Sequence, residues 1–255
     1  MATMQDARTI GGKKRDDILS GQRLATLVAE IEDVSASSEA FAEIEERFRQ
    51  IAARCLDTTR PARSQMLAVS SPTLGDGSSS IAIGLAVAAA RNLGSDVLVI
   101  ETDMQRPTLA HDFGTEAMLG LTDYLTTDID LKSVLHETRA PKVRLLPAGR
   151  KISNPGPLLR SPRFEALMKD LRTQFRTVII DAPPMLTSPH ASVIAAQADG
   201  LVLVLRAGET HLHEAKGAIK AAGTTPLRGI VLNGTRAWLP GWLSRAFGLS
   251  RFDIE

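Results

Sequence analysis

The chain has 255 residues, 44% of them hydrophobic, with 30 Lys+Arg against 29 Asp+Glu and a formal charge of +1. That is ample for one large α/β domain with a buried core, and so even a balance gives no basis for a nucleic-acid partner. No apolar run is long enough to cross a bilayer, Lys13-Lys14-Arg15 leads into Asp16 and Asp17 rather than into a leader's apolar stretch, and the one cysteine, Cys55, excludes an internal disulfide; the plain expectation is a soluble cytoplasmic protein.

Residues 1–14 are polar and glycine-containing and are expected to be disordered. Residues 15–34 carry Ile18, Leu24, Leu27, Val28 and Ile31 at helical spacing. A clearer helix follows. Ser38 suits an N-cap with Glu39 in the first turn, and Phe41, Ile44, Phe48, Ile51 and Cys55 recur every three or four residues. Cys55 lies in that stripe and reads as a small core residue. Together, residues 15–60 are expected to form helices that pack on the main domain, and Pro61 closes them.

From Met66 short apolar strands alternate with longer helices. The strands are expected at 66–70, 97–101, 143–147, 177–181, 201–206 and 228–233, the helices at 79–93, 161–175, about 187–196 and 212–222. Most strands are continuous Val/Ile/Leu runs, as in strands covered on both faces, so the sheet should be mostly parallel with helices on each side. Ser161-Pro162 places a capping serine before a proline at the first helical position. The α/β domain spans 61–235, and residues 236–255 form a tail with both tryptophans.

Open parallel sheets bind ligands at the carboxyl ends of their strands, which directs attention to the loops after 70, 101, 181, 206 and 233. The first of these, Ser70-Ser71-Pro72-Thr73-Leu74-Gly75-Asp76-Gly77-Ser78-Ser79-Ser80, stands between a strand and a helix, where backbone N–H groups can surround a phosphate. A Walker loop ends in Gly-Lys-Ser/Thr; this one ends in Gly77-Ser78-Ser79.

Read in order, the loops resemble those of the bacterial tyrosine-kinase family, the cytoplasmic ATPase-like part of polysaccharide co-polymerase systems within the deviant Walker ATPases. The likeness spans roughly residues 40–235. Ser71-Pro72-Thr73-Leu74-Gly75-Asp76-Gly77 matches a Ser-Pro-x-x-Gly-Glu-Gly loop. Residues 97–107 match an apolar strand followed by Asp-x-Asp-x-x-Arg-Pro, with Glu101 in place of the first aspartate and Asp103 as the second. Leu146-Pro147-Ala148-Gly149 with Asn154-Pro155, the strand ending Asp181-Ala182-Pro183-Pro184, and the segments at Ala198-Asp199-Gly200, Arg206-Ala207-Gly208 and Val231-Leu232-Asn233-Gly234 complete the series.

The resemblance implies a P-loop α/β fold that takes ATP or ADP with Mg²⁺. Nucleotide contacts would fall on Gly75, Asp76, Gly77, Ser78, Ser79, Ser80, Arg206 and Asn233. Ser79 and Asp181 would be the metal ligands, and Glu101, Asp103 and Asp181 the catalytic carboxylates, here vestigial or weak. Three structural alternatives stand beside these roles. Asp181 has a lesser reading as a strand-end carboxylate capping a turn, Glu101 and Asp103 one as N-caps, and Asn233-Gly234 one as an ordinary turn.

Ser78 is the main departure from the family, because a hydroxyl brings no positive charge to a polyphosphate; one lost stabilising group typically costs roughly 10²–10³ in rate. Arg63 and Arg106 are candidate substitutes. The family's tyrosine-rich tail is missing too: the chain has one tyrosine, Tyr124, which reads as a packed helix or loop residue. Of the family's Glu-x-x-Arg-x-x-Arg assembly motif, Glu46 and Arg49 fit but the third position is Ala52. The tail instead carries Trp238, Trp242, Leu243, Phe247 and Phe252 with Arg236, Arg245 and Arg251, a mixture that suits a membrane interface, a partner groove or the chain's own core. His211 and His213 have no cysteine or third histidine near them and do not read as a metal site.

The expected function is therefore a pseudokinase: a regulatory or binding partner in exopolysaccharide or capsule synthesis and export. It would dock on cytoplasmic segments of a membrane co-polymerase, with a homo-oligomer and a membrane contact through the tail as further associations, at the periphery of the inner membrane. One alternative is an active ATP-dependent protein-tyrosine kinase with a substitute cation. The other is a partition-type ATPase that positions cargo.

Overall fold

A computed structural model describes residues 39–56, 64–112 and 119–234. The segment 1–38, the tail beyond 234 and Arg63 lie outside the described residues, and with them the expectations placed on them.

Helix α1 (Glu39–Cys55) precedes β1 (Gln65–Ser70), α2 (Ser78–Leu93), β2 (Val97–Glu101), α3 (Leu109–Asp112) and α4 (Leu121–Thr126). A 3₁₀ turn (Leu131–Val134) leads to β3 (His136–Glu137) and β4 (Val143–Leu146). Then come α5 (Gly156–Leu159), α6 (Pro162–Gln174), β5 (Thr177–Asp181), α7 (Ala191–Ala195), β6 (Gly200–Arg206), α8 (Leu212–Ala221) and β7 (Leu227–Asn233). The seven strands form one sheet in the order β3-β4-β2-β5-β1-β6-β7. Every neighbouring pair is parallel except β3 with β4.

The continuous apolar runs have a simple cause: alternate residues enter different cores. Leu67, Val69, Val97, Val99, Ile179, Val202 and Val204 pack with α1 and α2. Met66, Leu98, Ile100, Val178 and Ile180 face the opposite way, onto Phe164, Leu167, Met168 and Leu171 of α6. Ala68, Leu201 and Leu203 meet Ala218 of α8. The mostly parallel, doubly covered sheet is thus the expected class.

Two local expectations need correction. The helix expected at about 187–196 is confined to Ala191–Ala195, because Met185 to Thr187 is a turn closed by the Ser188 N–H donating to the Pro184 carbonyl, and Pro189-His190 is a second turn before the helix. The antiparallel β3 is an unforeseen edge, too short at two residues to show any periodicity.

Helix α1 seats against α2 through Phe48, at a position cleared by Gly84: a Cβ there would fall 2.2 Å from the ring. Cys55 is buried in the same layer, and burial pushes its thiol pKa upward.

Candidate phosphate-loop site

The loop between β1 and α2 turns because Gly75 and Gly77 sit at φ 89° and 91°, backbone that favours glycine. Gly77 is the N-cap of the 16-residue α2 and supplies no side-chain cap. Ser78, Ser79 and Ser80 form the first turn of that helix and are half-buried. The donor set there, backbone N–H groups at a helix start plus three hydroxyls, fits the chemistry of a phosphate. It contains no ammonium.

The loop is braced from three sides. The Ser70 hydroxyl donates to the Pro183 carbonyl at 2.8 Å, and the Ser71 hydroxyl to the Thr73 carbonyl at 2.7 Å. The buried Asp76 carboxylate accepts from the Thr73 N–H and hydroxyl, each at 3.2 Å, through one oxygen, and from the Thr210 hydroxyl at 3.2 Å through the other. The ends of β6 and β7 supply the third brace. Arg206 Nη1 donates to the Gly75 carbonyl at 3.0 Å, and Asn233 Nδ2 to the Asp76 carbonyl at 2.9 Å.

Asn233 Oδ1 in turn accepts from the Gly234 N–H at 2.9 Å. Both ends of its amide are therefore engaged within the fold, one on the loop and one on its own turn. Thr210 was not foreseen. It also accepts the Arg206 N–H at 2.7 Å, so it ties the end of β6 to the loop. The only trace of it in the sequence is its place four residues after the last residue of β6.

The carboxylates divide by environment. Asp181 is buried at the end of β5, the strand between β1 and β2. Ile179 faces the α2 layer and Ile180 the α6 layer, so Asp181 falls on the α2 face, in register with Val69 of β1 and Glu101 of β2. Glu101 is 1% exposed. Its Oε1 accepts the backbone N–H groups of Thr108 at 2.5 Å and Leu109 at 2.8 Å; Oε2 accepts that of Ala148 at 3.0 Å. The side chain thereby caps the start of α3 and ties it to the loop after β4. Of the two readings of Glu101, this geometry favours the structural one.

Asp103 also works locally. Oδ1 accepts the N–H groups of Gln105 at 3.2 Å and Arg106 at 3.1 Å, and Oδ2 pairs with the Arg106 guanidinium at 3.2 Å. Arg106, one of the proposed substitute cations, is thus committed to Asp103. Arg206 is shared between the Gly75 carbonyl and Glu209, whose Oε1 lies 2.9 Å from Arg206 Nε.

Outside the loop, Tyr124 packs partly buried on the α6 side under the Arg163 guanidinium, 4.8 Å from its ring centroid. The His211 and His213 rings lie 5.5 Å apart, tilted by 47°, at the start of α8. The His211 N–H donates to Glu214, and this bond first, then the nearby histidine charge, holds the Glu214 carboxyl below the usual range. Among the described residues no group of three metal-capable side chains is assembled.

A family profile described as an AAA domain matches residues 64–218. Tyrosine-protein kinase CpsD of Streptococcus agalactiae is 32% identical over 174 residues, 67% of this chain and 75% of that protein. Tyrosine-protein kinase YwqD of Bacillus subtilis is 31% identical over 179 residues, 69% of this chain and 74% of YwqD. This chain belongs to the bacterial tyrosine-kinase family.

Solved structures agree. The chimerical protein CapA2B2 superposes with a TM-score of 0.72 at 26% identity, covering 82% of this chain and 90% of that one. The VpsO kinase domain follows at 0.68 and 25%, with 78% and 100% covered. The septum site-determining protein MinD of Pyrococcus horikoshii, at 19% identity and a TM-score of 0.56 over 72% of this chain and 76% of that one, shares the fold. The loop itself reads Gly77-Ser78-Ser79 at the start of α2.

Proposed function

We propose that this chain is a pseudokinase of the family. It acts as a regulatory or binding subunit in exopolysaccharide or capsule synthesis and export, docked on the cytoplasmic segments of a membrane co-polymerase at the periphery of the inner membrane. Self-association and a membrane contact through the aromatic and basic tail belong to the same proposal. No helix among the described residues is long and apolar enough to cross a membrane.

The observation that carries the reading is electrostatic. The loop keeps the backbone of a phosphate cradle, but Ser78 offers no charge, and the two arginines described beside the site, Arg106 and Arg206, are each paired with a carboxylate. Mg-ATP or Mg-ADP would rest on Gly75 to Ser80, with Ser79 and Asp181 as the groups suited to the metal. The bound metal would supply neutralisation of phosphate charge. The protein's part is to hold and orient; it lacks the cation that stabilises charge as a phosphoryl group moves, a deficit of roughly 10²–10³ in rate. Tyr124, packed beneath Arg163, is poorly placed to accept a phosphoryl group.

The purified chain is expected to show negligible ATP hydrolysis and no self-phosphorylation, while Ser78→Lys tightens Mg-ATP binding in calorimetry. Robust turnover abolished by Asp181→Asn would reject the pseudokinase. One observation favours the second reading, an active kinase: the Arg206 guanidinium already touches the loop at Gly75. In that case Arg206→Ala would abolish turnover as completely as Asp181→Asn does. The partition-type ATPase rests on fold likeness alone.

A further inference from the structure

The two arginines beside the loop are held in different ways. Arg106 sits in a closed local turn. Its partner Asp103 has a side chain only 17% exposed, and takes the backbone N–H groups of Gln105 and Arg106 as well as the guanidinium. Arg206 pairs with Glu209, whose side chain is 68% exposed, through a single bond from Nε at 2.9 Å. Its Nη1 donates to the Gly75 carbonyl at 3.0 Å, and Nη2 makes no hydrogen bond among the described residues. A pair as exposed as Arg206 with Glu209 is weak, because water screens both charges.

The root of the Arg206 arm does not share that freedom. Its N–H donates to the Thr210 hydroxyl at 2.7 Å, and that hydroxyl donates on to Asp76 of the loop at 3.2 Å. The Ala207 N–H donates to the Asn233 carbonyl at 2.8 Å, while the Asn233 side chain grips the loop at Asp76. The N–H groups of Glu209 and Thr210 both close on the Arg206 carbonyl, at 3.1 and 2.9 Å, in a turn completed by Gly208 at φ 75°. The backbone that carries Arg206 is therefore fixed against the loop, and the exposed guanidinium is the part left to change partner.

We propose, resting on the reading of residues 75–80 as a phosphate cradle, that Glu209 is a built-in competitor of the ligand: its carboxylate and an incoming phosphate contend for one guanidinium, that of Arg206. The exchange is like for like. A guanidinium offers the same N–H fork to a carboxylate and to a phosphate, and the phosphate brings more charge. Arg206 already reaches Gly75, the first residue of the cradle, so the swap needs no backbone movement. Because it is made on binding, it sets how tightly a phosphate is held and adds nothing specific to a transferring step. Glu209 thereby tunes the affinity of a loop that has no ammonium of its own.

Calorimetric titrations of the full chain with Mg-ATP and with Mg-pyrophosphate test this, in the parent and in the Ser78→Lys background. Glu209→Gln and Glu209→Ala should each tighten binding of both ligands by about two- to fivefold, the range of an exposed ion pair. The gain should shrink as salt is raised and should vanish when Arg206→Gln is added. A gain that survives Arg206→Gln in full is a general effect of removing negative charge and overturns the proposal. A gain for Mg-ATP but not for Mg-pyrophosphate also overturns it and assigns Arg206 to the nucleoside. Binding that ignores Glu209 rejects the proposal alone, whereas binding by none of these proteins rejects the phosphate cradle and the proposal with it.

Discussion

Replacing Glu101 separates a scaffold carboxylate from a catalytic one. Its two oxygens take three backbone N–H groups, from Thr108, Leu109 and Ala148, at a site that is 1% exposed. Glu101→Gln keeps one oxygen for the Thr108 and Leu109 pair and turns an NH₂ toward Ala148. One buried N–H then faces a donor, and an unsatisfied buried group costs about 1–3 kcal/mol. For a chain of this size each kcal/mol lowers Tm by about 2–4 °C. The expected fall is therefore roughly 2–12 °C. Glu101→Ala removes both acceptor oxygens, leaves all three N–H groups without this partner and should fall further. Melting followed by circular dichroism, with a parallel Mg-ATP titration by calorimetry, reads both properties. Unchanged melting of the Gln variant together with a lost Mg-ATP affinity would refute the scaffold role and return Glu101 to the catalytic carboxylates.

Other variants probe the loop and the α1 layer. Gly77→Ala places a Cβ 2.2 Å from Asn233 Nδ2 at φ 91°, whereas Gly75→Ala at φ 89° meets nothing within 4 Å. Both carry left-handed strain of about 1–3 kcal/mol, so only the excess loss at Gly77 measures the loop–β7 contact, and equal losses in denaturant titrations would dismiss it. Gly84→Ala drives a Cβ to 2.2 Å from the Phe48 ring. It should cost about 1–3 kcal/mol, part of it recovered by Phe48→Leu in the double variant; simple additivity would show that the two do not touch. The Cys55 thiol is raised by burial, so the unfolded chain ionises first. Stability from this group is full below the ordinary thiol pKa of about 8.5 and is lost as pH climbs through the higher folded value. The urea midpoint should drop more between neutral pH and pH ~10 for the parent than for Cys55→Ala; parallel curves would contradict this.

The sequence determined the inner strands, though not the two-residue edge β3, because a strand covered on both faces must be apolar at every position, and such runs are visible without partners. β1, β2 and β5 lie where their runs do. It also placed the phosphate loop, since Gly75 and Gly77 follow a strand and precede a helix within one short window. What each side chain does there was decided by tertiary contacts. Glu101 reaches Ala148 across 47 residues, Asp76 meets Thr210 across 134, and Asn233 grips the loop across 157. Local pattern holds no record of such pairings: they exist only once the sheet order has brought β2 beside β4, β6 beside β1 and β7 beside β6. The same holds for the seating of α1 on α2, where Phe48 settles over Gly84, a meeting that neither helix's own periodicity records.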